Sequence, residues 1–129
     1  YNLIRIIEKQ TFNNLNKLEK LDLNSNNIKE IENGSFDGLI NLNDLNLNRN
    51  KLKNFDRNLF DKLKMLSNLK ISENLFENFI ANFSFNKRLK SLILIKNRIK
   101  EIEIYSEDIF DELNLFNNNL IYIDDLFFS

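Results

Sequence analysis

The sequence predicts an α/β solenoid: stacked coils that share a parallel β-sheet on a concave face, with loops, 3-10 turns or short helices on the convex side. Three observations predict it. One apolar pattern, L-x-x-L-x-L-x-x-N-x-L-x-x-L, recurs five times along the 129 residues. Its copies start at Leu18, Leu42, Leu66, Leu89 and Phe110, so the steps are 24, 24, 23 and 21 residues. An asparagine holds the same place in every copy. Self-similarity at a period of about 20–50 residues marks chains that stack one supersecondary unit on the next.

The elements follow in order. Residues 1–17 read as the tail of an earlier repeat, with Ile4 and Ile7 preceding Phe12 at the offsets seen later. Repeat 18–41 carries Leu18, Leu21, Leu23, Asn26, Ile28 and Ile31, and repeat 42–65 carries Leu42, Leu45, Leu47, Asn50, Leu52 and Phe55. Repeat 66–88 has Leu66, Leu69, Ile71, Asn74, Phe76 and Phe79. Repeat 89–109 has Leu89, Leu92, Leu94, Asn97, Ile99 and Ile102, and 110–129 closes with Phe110, Leu113, Leu115, Asn118, Leu120 and Ile123. All five form one domain. Within each, the x-L-x-L-x segment alternates as a strand does, so Leu21 and Leu23 point inward while their neighbours point out.

A second apolar pair covers the back of the sheet: Phe12 and Leu15, Phe36 and Leu39, Phe60 and Leu63. Counting back from the next repeat, Phe83 takes the Phe place in the third repeat and Ile104 in the fourth. Both shortenings then fall before that Phe, on one side of the coil, where loops can contract without disturbing the strands. The phased asparagines, Asn26, Asn50, Asn74, Asn97 and Asn118, are expected to turn inward as a structural ladder. Their amides would bond backbone groups freed where the chain leaves the strand. One repeat cannot bury both flat sides of its coil, so each needs neighbours, and further repeats or capping domains are expected at both ends.

Composition narrows the function classes. The chain has no Cys and no His, which removes disulfides, Ser-His-Asp and Cys-His nucleophiles and the common zinc sites. Its 18 Lys+Arg nearly balance 19 Asp+Glu, a net charge of −1, which points to neither nucleic acid nor an anionic membrane. Neither Gly34 nor Gly38 sits in a phosphate-cradling motif, and no acidic run has calcium-loop spacing, Asp124-Asp125 included. No enzyme activity, metal, cofactor or small-molecule substrate is expected. The first residue is Tyr1 rather than Met, so a piece of a longer protein is expected, with Leu126, Phe127 and Phe128 running into a further repeat.

These residues resemble the leucine-rich-repeat family across essentially the whole chain. The 24-residue period with its recurring Phe resembles the typical subclass of animal extracellular proteins, among them Toll-like and Slit-like relatives. The resemblance implies a horseshoe that binds a protein ligand or co-receptor through its concave face. It implies a fragment of a receptor, adhesion or matrix protein, secreted or membrane-anchored at the cell surface and engaged in signalling. Extracellular relatives carry Cys-rich caps, which this sequence lacks. The alternative is an intracellular, cytoplasmic adaptor or regulatory module, whose repeats resemble these but usually run to about 22–23 residues without the recurring Phe.

On the family's concave face the outward positions are Lys20, Asp22 and Asn24, then Asp44, Asn46 and Asn48. Next come Asn68, Lys70 and Ser72, then Ser91, Ile93 and Ile95, and last Glu112, Asn114 and Phe116. Two lysines against three acids leave the face near neutral, whereas a phosphate-reading surface is basic. Ile93, Ile95 and Phe116 gather into an apolar patch on the last two strands, and exposed apolar clusters with an aromatic anchor mark contact sites. Asn33-Gly34-Ser35 and Asn82-Phe83-Ser84 match the N-glycosylation pattern, and both are expected outside the strands. With 25 Asn in the chain, two such triplets are no more than chance provides.

Overall fold

The computed structural model describes residues 2–108 and 110–121. Among the described residues nine strands follow one another: β1 (Ile6–Ile7), β2 (Lys20–Asp22), β3 (Glu30–Ile31), β4 (Asp44–Asn46), β5 (Asn68–Lys70), β6 (Asn78–Asn82), β7 (Ser91–Ile93), β8 (Glu101–Tyr105) and β9 (Glu112–Asn114). Among the described residues there is no helix, so the convex side is built of turns and short strand pairs. Ile123, the Asp124-Asp125 pair and the Leu126, Phe127 and Phe128 run lie outside the described residues.

β2, β4, β5, β7 and β9 form one parallel sheet in that order. The register is that of the repeat: Leu21, Leu45, Leu69, Leu92 and Leu113 lie side by side. Because strand side chains alternate, that column and the next one (Leu23, Leu47, Ile71, Leu94, Leu115) point inward together. In the middle coils Leu45, Leu47, Leu69, Ile71, Leu92 and Leu94 are buried. Leu21 and Leu113, in the terminal coils, are only half-buried. Each coil reaches burial when both flat sides are covered, which is how a solenoid distributes its stability.

Behind the sheet runs a stack of phenylalanines. Phe12, Phe36, Phe60 and Phe83 lie ring on ring, with centroids 6.0, 6.2 and 5.8 Å apart. The column then turns: Phe83 meets Phe110 edge-on at 5.9 Å. Ile104 does not continue it. β6 and β8 pair in parallel with Ala81 opposite Ile104, and the Phe83 N–H donates to the Tyr105 carbonyl. Phe83 therefore lies two residue pairs beyond Ile104, across from Ser106. The physical reason is the alternation Phe79, Ala81, Phe83 against Ile102, Ile104, Ser106, which runs two extended strands along the back. An extended strand advances about 3.3 Å per residue, so it spans the path with fewer residues than a turn. That accounts for the shortened third and fourth repeats.

Two details set how closely the coils stack. Gly38 lies against the preceding coil: a Cβ there would come within 3.0 Å of the Phe12 carbonyl oxygen. Asn86 occupies the place of Leu39 and Leu63, yet it is buried. Its Nδ2 donates to the Phe60 and Leu63 carbonyls of the coil before, at 2.8 and 2.9 Å.

Candidate functional site

The outward face of the five-stranded sheet lines a groove of about 540 Å³. Three columns cross it. The first is Lys20, Asp44, Asn68, Ser91 and Glu112. Its groups largely satisfy one another: Lys20 pairs with Asp44 at 3.8 Å, and Asn68 Nδ2 donates to Asp44 Oδ1. Ser91 Oγ donates to Glu112 Oε2 at 3.0 Å. An exposed pair of this kind contributes little to stability, but it holds the charges in register.

The second column is Asp22, Asn46, Lys70, Ile93 and Asn114. Asp22, Asn46 and Asn114 each accept a hydrogen bond from the backbone N–H two residues on, at Asn24, Asn48 and Phe116. These Asx turns bend the chain out of the strand. One residue beyond each bend, and at the same phase in the two coils that have no Asx turn, the backbone is left-handed: φ is 59° at Ser25, 55° at Arg49, Glu73 and Lys96, and 57° at Asn117. The five residues share no chemistry, so nothing in the sequence marks this strained position. Arg49 and Glu73 pair across two coils at 3.3 Å.

The third column is Asn24, Asn48, Ser72, Ile95 and Phe116. Ser72 is a correction to the outward reading, because it is buried. Its N–H donates to Asn48 Oδ1 at 2.7 Å, and its Oγ accepts from the Ile95 N–H at 3.0 Å. Those bonds draw the side chain onto the sheet edge and leave it little to offer a partner. Ile93 and Ile95 are half-buried, whereas Phe116 is 67 % exposed. The structure thus places an aliphatic pair and a projecting ring on or just past β7 and β9, beside the Ser91–Glu112 pair, with Lys20, Asp44 and Asn68 on β2, β4 and β5.

Directly under this face lies a ladder of amides. Asn50 donates to the Leu23 and Leu47 carbonyls and accepts from the Ile28 N–H. Asn74 bonds Leu47, Ile71 and the Leu52 N–H in the same way. Asn97 bonds Ile71, Leu94 and Phe76, and Asn118 bonds Leu94, Leu115 and Ile99. Asn26 donates to Leu23, but its buried Oδ1 has no donor. The ladder knits each coil to the next just behind the groove, so the face is preorganised.

Away from the face, Asn33 is exposed in a turn whose Gly34 has φ 89°. Asn82 is a correction: it is not outside the strands but ends β6, which pairs with β8, and its amide is engaged at both ends, Nδ2 with Asn58 Oδ1 and Oδ1 with the Ser84 N–H. On the convex turns Asp61 has an Oδ1 shielded from water without a donor. That desolvation pushes its pKa above the usual carboxylate value against the pull of Lys62, with Asp56 and Asp37 adding to the rise. Among the described residues no group of His, Cys, Asp or Glu is arranged to hold a metal ion. No helix there is long and apolar enough to cross a membrane.

Residues 17–76 match the family model described as Leucine rich repeat. No curated protein matches the chain. Among solved structures, the crystal structure of a TLR13–ssRNA13 complex is similar at 32 % identity and a TM-score of 0.72. The match covers 92 % of this chain and 18 % of that one, so this chain spans under a fifth of its neighbour's length. That neighbour is in complex with ssRNA, so the similarity lends no support to the expectation that nucleic acid is not a partner.

Proposed function

We propose that this chain, which belongs to the leucine-rich-repeat family, is a protein-binding segment of an extracellular receptor, adhesion or matrix protein. The observation that carries the reading is the make-up of the sheet face: half-buried Ile93 and Ile95 and exposed Phe116 lie on or just past the last two strands, bordered by the Ser91–Glu112 pair, and the mutually paired Lys20, Asp44 and Asn68 occupy the first three. A projecting aromatic on an aliphatic base is the residue chemistry of an interface anchor, and the polar columns provide register. The amide ladder and the Asx turns hold these side chains before any ligand arrives, which lowers the entropic cost of binding. No chemistry is performed at the face. Neighbouring repeats or caps at each end, a cell-surface or secreted location and a signalling role belong to the same reading, and the 24-residue steps with Phe12, Phe36 and Phe60 support it.

An RNA ligand, as in the TLR13 complex, is the competing occupant. Lys20 and Lys70 face Asp22, Asp44 and Glu112 on this sheet, which gives a phosphate backbone no continuous cationic track. The test is a panel of purified cell-surface and matrix ectodomains, probed with the wild-type chain and with Phe116→Asp. A ligand held by wild type and weakened at least about tenfold by Phe116→Asp supports the reading, provided Lys62→Glu on the convex side changes nothing. Ligands that bind both forms equally refute it.

A further inference from the structure

The near-zero net charge conceals a segregation that the coil geometry produces. Beyond the amide ladder the chain runs along one flank of the solenoid, and inter-coil backbone bonds align its residues into two columns. Bonds from Lys29 to Arg5 and from Lys100 to Glu77 join the ends of the column Arg5, Lys29, Lys53, Glu77, Lys100, and the 24-residue phase of the repeat places Lys53 between them. Bonds from Lys51 to Ile28, Leu75 to Leu52 and Arg98 to Phe76, each to the residue after a column member, set the adjoining column Asn27, Lys51, Leu75, Arg98. Together they present six cations against one carboxylate, all exposed. None of the six makes an ion pair among the described residues, whereas Lys20, Arg49 and Lys87 do.

The flank is also grooved. A cleft of about 480 Å³ spans three coils, lined by Lys53, Arg98, Glu77, Asn54 and Asn78 around an apolar surface of Phe55, Leu75, Phe76 and Ile80. Ile80 is 42 % exposed and Phe55 and Leu75 half-buried, so the floor is open to an apolar side chain. We propose that this flank is a second interaction surface, separate from the sheet face, and that it takes an extended acidic peptide segment carrying an apolar residue. Coils about 4.8 Å apart place flexible lysine and arginine heads along a line that successive Asp or Glu side chains can meet. The apolar floor fits an aliphatic or aromatic anchor, and the Lys53 and Arg98 rim outnumbers the one carboxylate of the cleft, Glu77. A nucleic acid fits less well, because the ring of Phe76 is buried and that of Phe55 is packed edge-on against Phe60, Phe76 and Phe79, leaving no aromatic platform for bases.

The experiment uses the whole chain and three fluorescent probes: a glutamate-rich peptide with one central Phe, the same peptide with Gly in place of that Phe, and polyuridine of matched charge. Anisotropy at about 0.15 M salt reads the affinities, and far-UV circular dichroism checks that each variant folds. The expected result is that the Phe peptide binds most tightly and loses at least about tenfold when Lys51 and Lys53 are changed to Glu. The double variant Lys51→Gln, Lys53→Gln should lose less, and Lys20→Glu with Lys70→Glu on the sheet face should change little. Polyuridine binding tighter than the peptide would reassign the flank to nucleic acid and overturn the proposal. Absence of binding to the Phe peptide, or equal losses from the sheet-face variant, overturns it as well, and neither bears on the sheet-face reading tested with Phe116.

Discussion

Replacing Asn74 by Ala tests the ladder at an interior rung, and its consequence can be worked out group by group. Asn74 is 3 % exposed, and Nδ2 donates to the carbonyls of Leu47, Ile71 and Ser72, while Oδ1 accepts from the Leu52 N–H at 3.0 Å. Truncation does not strand the carbonyls. Leu47 keeps Asn50, Ile71 keeps Asn97, and Ser72 keeps the Arg49 N–H. The Leu52 N–H keeps nothing, and Leu52 is fully buried. One orphaned buried donor costs about 1–3 kcal/mol, and weakened bonding to the shared carbonyls brings the total to about 2–4 kcal/mol. For a chain of this size that is a fall in Tm of roughly 6–16 °C.

Asn26 is the internal control. It donates to Leu23, whose carbonyl also receives Asn50, and its Oδ1 has no donor. Asn26→Ala therefore strands no group and should cost about 0.5–1 kcal/mol. Both residues are buried asparagines at the same phase, so composition, propensity and burial predict equal effects, and only the count of stranded groups separates them. Thermal melts followed by circular dichroism decide it. Equal falls for the two variants would refute the reasoning, as would an Asn74→Ala fall below about 2 °C.

Asp61→Asn should stabilise the chain at neutral pH. Unfolded Asp61 titrates near 3.8 and the folded group higher, so the native state gives up stability as pH rises through that window. Asparagine does not titrate, so its advantage in Tm should be present at pH 7 and vanish below pH 3.8; a gain constant with pH would contradict this. At Lys96, where φ is 55°, Gly should leave Tm unchanged or raise it, whereas Ile should lower stability by about 1–3 kcal/mol although the site is exposed. Urea midpoints for the two variants measure the difference, and a harmless Ile would mean the backbone there is not held left-handed.

The sheet was legible because its register is the repeat itself: a pattern recurring at fixed phase brings Leu21, Leu45, Leu69, Leu92 and Leu113 side by side. The second sheet left a trace, the alternations Phe79-x-Ala81-x-Phe83 and Ile102-x-Ile104. Counting back from Phe110 overrode it by treating the distance to the next repeat as rigid. Ile104 was thereby matched to Phe83 when strand pairing sets it against Ala81. Ser72 illustrates a different limit. Alternation states which way a side chain leaves the strand, not whether a neighbour's N–H then claims it, and the Ile95 N–H claims this one. Asn86 sits at a place that pattern reserves for leucine, and only its coordinates show that two carbonyls of the previous coil receive it. Gly38 accommodates the 3.0 Å approach of another coil, a tertiary contact that no local pattern announces.

In a solenoid, overall charge says little about any surface, because the coil length decides which residues become neighbours. On the sheet face the first column alternates donors and acceptors, so Lys20, Asp44 and Asn68 satisfy each other and Ser91 satisfies Glu112. A few residues further along the same coils, the flank stacks Arg5, Lys29 and Lys53 with no acid between them. Shifting the alignment of one coil by a single residue would bring Glu30 beside Lys53 and interrupt that stack, while leaving the composition untouched. The charge column is therefore held by the same spacing that buries the leucines, and disturbing it without unfolding the core requires surface substitutions such as those at Lys51 and Lys53. That separation lets the flank and the sheet face be tested independently within one small fold.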